Sequence, residues 1–208
     1  MTEDRIGELL APFLGPDSLS DSQLKLVSTY LDLLLKWNSK INLTAVRDPE
    51  EIVTRHFGES FFAAHHLLPD RDSPATAIDI GSGAGFPGLP FKIWSPALHL
   101  TLIEANQKKA VFLREVVRAL ALPQVNVLAR RAESAGDKTD LALVRAVERF
   151  ERTLPIAQQL LKPGGRIALL IGHSQAESAK SLLRDLRWDN PTPIPLSHSR
   201  ILLVGESK

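Results

Sequence analysis

The chain of 208 residues contains no cysteine. That excludes disulfides, thiolate metal sites and cysteine nucleophiles, and it suits a reducing compartment. Tyrosine occurs once, at Tyr30, so no Tyr-x-x-x-Lys pair for carbonyl reduction can be assembled. Long apolar runs are missing too: Ile167 to Ile171 is among the longest, far short of a bilayer span. Met1-Thr2-Glu3-Asp4 lacks the basic start and apolar core of a signal peptide, and a cytoplasmic protein is expected. There is neither a low-complexity tract nor a repeat at solenoid periods. The adjacent His65-His66 have no further ligands at metal-binding spacing, so packing or surface roles are expected and no metal.

Charge of one sign is also lacking overall, since 25 Lys and Arg face 24 Asp and Glu. A net charge of +1 argues against a uniformly basic nucleic-acid binder. The distribution is uneven. Residues 1–24 hold five acids against Arg5 alone, whereas residues 105–131 hold Lys108, Lys109, Arg114, Arg118, Arg130 and Arg131 against Glu115. Such a stretch is either a solvated helix face or a local surface that tracks phosphates.

What is present reads as helices followed by alternating strands and helices. Ser20-Asp21-Ser22-Gln23 has the form of a capping box, and Leu24, Val27, Leu31, Leu34 and Leu35 recur behind it at helical spacing. A second helix is predicted after Asp48-Pro49, where proline suits the first turn. The polar, proline-bounded segment Pro69–Pro74 divides a helical cap, residues 1–70, from a second domain, residues 71–208. There, strands are predicted at Thr76–Ile80, Leu98–Ile103, Val125–Leu128, Leu141–Val144 and Arg166–Ile171. Helices are predicted at Gly88–Trp94, Gln107–Leu120, Glu151–Leu161 and Gln175–Leu186. Apolar strands joined by helices imply a parallel sheet covered on both faces. Thr192–Leu196 and Ile201–Val204 are then separated by a hairpin-length gap. An α/β fold whose parallel sheet is closed by an antiparallel hairpin is the Rossmann-like architecture of class I methyltransferases.

The most informative stretch is Asp79-Ile80-Gly81-Ser82-Gly83-Ala84-Gly85-Phe86-Pro87-Gly88, a strand entering a glycine turn ahead of a helix. Glycines allow a tight turn and close ligand approach, and such turns open nucleotide pockets in doubly wound folds. The segment satisfies G-x-G-x-x-G, with Glu104 about 20 residues on, as a dinucleotide site requires. The Asp-x-Gly-x-Gly-x-Gly arrangement, the closing hairpin and the absent tyrosine–lysine pair favour S-adenosylmethionine instead. In that reading Asp79, Gly81, Ser82, Gly83 and Gly85 form the loop beside the cofactor. Glu104 accepts from the ribose hydroxyls, and Ala132 and Glu133 lie where the adenine would sit.

Trp37-Asn38, Asn42-Leu43-Thr44, Arg47-Asp48-Pro49, Glu51 and Arg55-His56 form a distinctive N-terminal signature. Together with the glycine turn, Lys109, Phe112-Leu113 and Arg145-Ala146, the chain from about Leu24 onward closely resembles the ribosomal small-subunit methyltransferase G family, also called glucose-inhibited division protein B. The resemblance implies methyl transfer from S-adenosylmethionine to N7 of one guanine of bacterial 16S rRNA, in the small ribosomal subunit or an assembly intermediate. It implies cofactor contacts at Gly81, Phe86, Ala132, Glu133 and Arg145. Two departures stand out: Glu59 and Ile171 occupy positions where many relatives carry Asp and Lys.

Guanine N7 carries a lone pair and no proton, so positioning rather than a general base is required. Arg145, at the end of the fourth strand, either clamps the target base or phosphate, holds the cofactor, or pairs with a neighbouring acid such as Glu148. Lys36, Lys40, Arg47, Arg55 and His56 are the RNA-binding candidates on the cap, and Trp37 is expected to pack rather than stack on a base. A monomer is expected. Two other functions remain open on the residues alone: a small-molecule methyltransferase with the cap as a lid, and a cofactor-binding module that docks a protein.

Overall fold

The computed structural model describes residues 1–134, 136–146 and 150–208. Its first helices begin where the sequence supplies caps. α1 (Glu3–Leu14) starts at Thr2, whose hydroxyl accepts from the Arg5 amide. α2 (Asp21–Asn38) starts in the expected capping box: the Ser20 amide donates to Gln23 Oε1 at 2.9 Å and the Gln23 amide donates to Ser20 Oγ at 3.3 Å. α3 (Pro49–Ile52) is capped by Asp48, then widens into a π-helical turn, Val53–Gly58, before α4 (Glu59–Leu67). No helix among the described residues is long and apolar enough to cross a membrane.

The remaining elements alternate as the apolar pattern requires. In order they are β1 (Thr76–Ile80), α5 (Gly88–Trp94), β2 (His99–Ile103), α6 (Gln107–Ala119), β3 (Val125–Leu128), β4 (Thr139–Arg145), α7 (Phe150–Gln159), β5 (Leu161–Gly172), α8 (Ala176–Leu182), β6 (Arg187–Trp188), β7 (Thr192–Pro193) and β8 (Arg200–Glu206). The sheet order is β3-β2-β1-β4-β5-β8-β6, with β7 also on β8. Strands β1 to β5 run parallel, and β8 is antiparallel to β5, β6 and β7. Ile80 lies level with Ile103 on one side and Val144 on the other, so three strand ends meet where the strand order reverses. That is the position at which doubly wound sheets bind ligands.

The closing hairpin is more irregular than predicted. Only Thr192–Pro193 of the predicted first strand pairs with β8, and Arg187–Trp188 pairs with the other end of the same edge. Proline has no amide to donate to a ladder, which limits how far such a strand runs. β5 starts at Leu161, earlier than predicted, because Lys162-Pro163-Gly164-Gly165 reads as a turn although Leu161 pairs with Thr139 across a register shift.

One face of the sheet, carrying Leu100, Leu102, Leu141 and Leu143, packs in a continuous core with Ile6, Leu10, Phe13 and Leu34 of the N-terminal helices. The other, carrying Ile78, Val144, Ile167 and Leu169, packs under Leu154 and Ala157 of α7 and Ala179 of α8. Over β2 and β3 that second face presents His99, Thr101 and Asn126. Among the described residues of the β3–β4 connection is a 3-10 turn, Ala132–Ser134. Inside α5, Lys92 is 1% exposed, and its ammonium donates to the carbonyls of Pro96 at 2.7 Å and Leu98 at 2.6 Å. Burial lowers its pKa.

Candidate active site

A cleft of about 610 Å³ opens at the ends of β1, β2 and β4. Its floor is the glycine loop, pinned by the Gly81 and Ser82 amides donating to the Ile103 carbonyl at 2.9 and 3.0 Å. Gly81, Gly83 and Gly85 all have positive φ, which explains the residue type. They do not serve one purpose. A Cβ on Gly83 would meet no atom closer than 3.7 Å, so that loop backbone stands open. A Cβ on Gly85 would stand 2.5 Å from Leu89 Cδ1 and against the Tyr30 hydroxyl, so Gly85 admits protein rather than ligand. Gly85 does not line the cleft.

Glu104 is fixed at the cleft wall. One carboxylate oxygen accepts from the Gly83 amide at 2.9 Å and the other from the Asn106 amide at 2.7 Å. Each oxygen retains acceptor capacity, and Glu104 lines the cleft together with Ala132 and Glu133. Asp79 lies elsewhere. It is buried behind the loop, its Oδ2 accepts from the Gly88 amide at 3.0 Å, and its Oδ1 has no partner among the described residues. Burial pushes its pKa up to about 7 against the opposing Gly88 hydrogen bond.

These features fit the adenosine and methionine parts of S-adenosylmethionine. The volume falls in the range of small-molecule clefts. The paired, pre-oriented acceptors of Glu104 match vicinal ribose hydroxyls, and the open loop backbone at Gly83 leaves room for close approach.

The opposite wall comes from the N-terminal helices. Tyr30 donates to the Ala84 carbonyl and stacks on Phe86, with ring centroids 5.3 Å apart and planes within 8°. Phe86 lines the cleft, as do His56 and Thr44. His56 sits on the π-helical turn. Its Nδ1 is 3.1 Å from Arg145 Nη2 and its Nε2 is 2.8 Å from Thr44 Oγ1. Burial, reinforced by Arg145, holds its pKa down to about 3.

Arg145 lines the cleft, but its fork is largely occupied. Its Nη1 donates to the His56 carbonyl at 3.2 Å, and its Nη2 donates to the Arg55 carbonyl at 2.9 Å and to His56. The acid beside it is Glu59, 3.1 Å away, with the two side chains 9% and 2% exposed. Glu148, the sequence neighbour considered as its partner, lies outside the described residues. Glu59 also accepts from Arg200 Nε at 2.6 Å. This Arg145–Glu59–Arg200 group is not visible in the sequence as a site, because its members lie on three distant segments.

The basic candidates divide. Lys36 and Lys40 are exposed and do not line the cleft. Arg47 donates to the Asn38 carbonyl at 3.0 Å, and Arg55 is 3.4 Å from Glu51 on its own helical turn while bordering a smaller cavity beside Arg145. Among the described residues, the cations that line the cleft besides Arg145 are Lys109, Arg130, Arg131 and Arg152. The first three lie in the basic stretch 105–131, Lys109 in the first turn of α6 and Arg130 and Arg131 just past the end of β3. Trp37 packs on Phe112 at 5.7 Å, and Ile171 is buried in the second-face core.

The family model for rRNA small subunit methyltransferase G matches residues 23–195. The chain is 39% identical over 174 residues to the ribosomal RNA small subunit methyltransferase G of Chloroflexus aggregans, covering 81% of this chain and 72% of that one. It is 36% identical over 191 residues to the corresponding protein of Xanthomonas campestris pv. campestris, covering 91% and 88%. The crystal structure of a SAM dependent methyltransferase from Aquifex aeolicus superposes with a TM-score of 0.59 at 16% identity, covering 77% of this chain and 94% of that one, a likeness of fold. The family match runs from α2, through the glycine loop and Glu104, to the start of the closing hairpin, and the chain belongs to the rRNA small subunit methyltransferase G family.

Proposed function

We propose that this protein transfers a methyl group from S-adenosylmethionine to N7 of one guanine of 16S rRNA, acting as a cytoplasmic monomer on the small ribosomal subunit or an assembly intermediate. The observation that carries the reading is the cleft itself: a glycine loop pinned by Glu104 faces an aromatic and polar wall across a cationic rim. When bound, S-adenosylmethionine supplies an electrophilic methyl on a sulfonium centre. Gly81, Ser82 and Gly83 take its methionine side, Glu104 its ribose, and Ala132 and Glu133 its adenine.

The chain's residues then have one task, to hold the guanine in line with that methyl. Since N7 bears a lone pair and no proton, no base is nominated, and orientation supplies the acceleration. Arg145 serves as a positioning residue for the His56 wall, with its fork already turned to the Arg55 and His56 carbonyls. Lys109, Arg130, Arg131 and Arg152 neutralise RNA phosphates around the mouth. Lys36, Lys40, Arg47 and Arg55 extend that surface over the cap.

The test is labelled methyl transfer to small subunits lacking the modification, with the product mapped by cleavage at N7-methylguanine. One modified guanine is expected. Cofactor binding without label in rRNA overturns the reading.

A further inference from the structure

The Asn42-Leu43-Thr44 segment is held by more bonds than a surface loop needs. Asn38, at the end of α2, accepts from the Leu43 and Thr44 amides at 2.9 and 3.1 Å and donates to the Thr44 carbonyl at 3.0 Å. This fixes Thr44 at the cleft, where its Oγ1 meets His56.

The direction of each hydrogen bond follows from the group at the far end. A guanidinium only donates, so His56 Nδ1 accepts from Arg145. Neutral His56 therefore carries its proton on Nε2 and donates it to Thr44 Oγ1, 2.8 Å away. The Val46 amide donates to the same oxygen at 3.1 Å. Both acceptor positions of the Thr44 oxygen are then filled. The hydroxyl hydrogen is left with the remaining direction, on a side chain that lines the cleft, and it has no acceptor among the described residues. Rotation does not reverse this polarity, because it would drive the hydrogen against one of two N–H groups.

We propose that the Thr44 hydroxyl is a fixed donor that reads O6 of the acceptor guanine, with Arg145 and His56 as the positioning residues that set its direction. The inference rests on the guanine-N7 reading above. Guanine presents two acceptors, N7 and O6, side by side on its major-groove edge, whereas adenine presents N7 and an N6 donor. A donor beside the reacting N7 therefore pairs with guanine and meets a second donor in adenine. The unusual firmness of polarity is what makes this a discriminating contact, since a free hydroxyl would accept from adenine as readily as it donates to guanine.

The experiment compares the full-length protein with Thr44→Val and Thr44→Ser on small subunits reassembled around rRNA carrying guanine or 2-aminopurine at the target position. 2-Aminopurine keeps N7 and lacks O6. Thr44→Val is expected to lower kcat/KM on guanine by about tenfold, the order of one lost neutral hydrogen bond with an unpaired partner. Thr44→Ser should retain activity within about threefold, the same principle applying to a hydroxyl kept. The wild type should lose a similar factor on 2-aminopurine, and Thr44→Val should lose nothing further there. Calorimetric affinity for S-adenosylmethionine should stay unchanged in both variants, as should the thermal midpoint of Thr44→Ser, whereas the midpoint of Thr44→Val should fall modestly because the His56 and Val46 N–H groups lose their acceptor. The inference is overturned if Thr44→Val matches the wild type on guanine, if the two losses simply multiply, or if cofactor affinity or folding falls in both variants. A wild type that leaves guanine subunits unlabelled removes the guanine-N7 reading, and this inference with it; a labelled product with an indifferent Thr44→Val removes the inference alone.

Discussion

The ring of Phe13 lies directly on the bare Cα of Gly58: a Cβ there would stand 2.5 Å from Phe13 Cε2. The contact presses α1 onto the π-helical turn that carries His56, so a residue without a side chain sets how closely the two elements approach. Gly58→Ala is expected to destabilise the fold by about 1–3 kcal/mol, the usual cost of overpacking. Urea unfolding measures it, and a change within about 0.5 kcal/mol, the range of ordinary surface substitutions, would show that the ring simply steps aside.

Two buried groups give stability opposite pH dependences. His56 is held at about 3 when folded against an ordinary 6.5, so between those values the unfolded chain binds more protons. Its contribution is complete above pH 6.5 and is lost as pH falls toward 3. Asp79 is raised to about 7 from 3.8, so the folded state binds the extra proton in that window. Its contribution is complete below pH 3.8 and is lost as pH rises through 7. Asp79→Asn should therefore gain on the wild type from pH 5 to about pH 7 in urea unfolding and level off above it. A difference that stays flat over that range would mean Asp79 titrates as an ordinary carboxylate.

Glu59 holds Arg145 and Arg200 from a position 2% exposed. Glu59→Ala leaves Arg145 buried without its counter-charge, and about 3–5 kcal/mol of stability should go with it. Glu59→Asp reaches less far and should fall between. Equal stability of the alanine variant and the wild type in urea would show that solvent takes over the role of the carboxylate.

Two variants test the proposed division of the cleft into a cofactor side and an RNA side. Glu104→Ala removes the acceptor of the Gly83 and Asn106 amides and, on the proposed reading, of the ribose, and roughly a ten- to hundredfold loss of S-adenosylmethionine affinity is expected in calorimetry. Arg131→Ala should leave that affinity alone. It should instead weaken subunit binding and reduce the slope of log affinity against log salt by about one. If Arg131→Ala left the slope untouched, the rim would not be contacting phosphate.

How far the sequence carried these conclusions depends on how local each signal is. Caps and short apolar strands are set by neighbouring residues, so the Ser20–Gln23 box, Thr76–Ile80, Gly88–Trp94 and Val125–Leu128 appear as predicted. That the glycine loop and Glu104 share one cleft was legible for the same reason, since the loop is one segment and Glu104 one strand away. The opposite wall was not. Glu59, Arg145 and Arg200 have no spacing in common, and only the packing of α4 against the sheet brings them together. Gly85 misled in a different way: its positive φ fits a ligand loop, yet the atoms it admits belong to Tyr30 and Leu89.

Lys92 gives the chain an internal reference for surface chemistry. Its ammonium is enclosed between the carbonyl oxygens of Pro96 and Leu98, just past α5, while Lys36, Lys40 and Lys108 stand exposed. An amine-acylating reagent applied to the folded protein should modify those three and spare Lys92 until the molecule unfolds. In a footprint taken with and without the subunit, acylation of Lys92 would report the unfolded fraction, and protection at the other lysines, normalised to it, would trace where RNA lies.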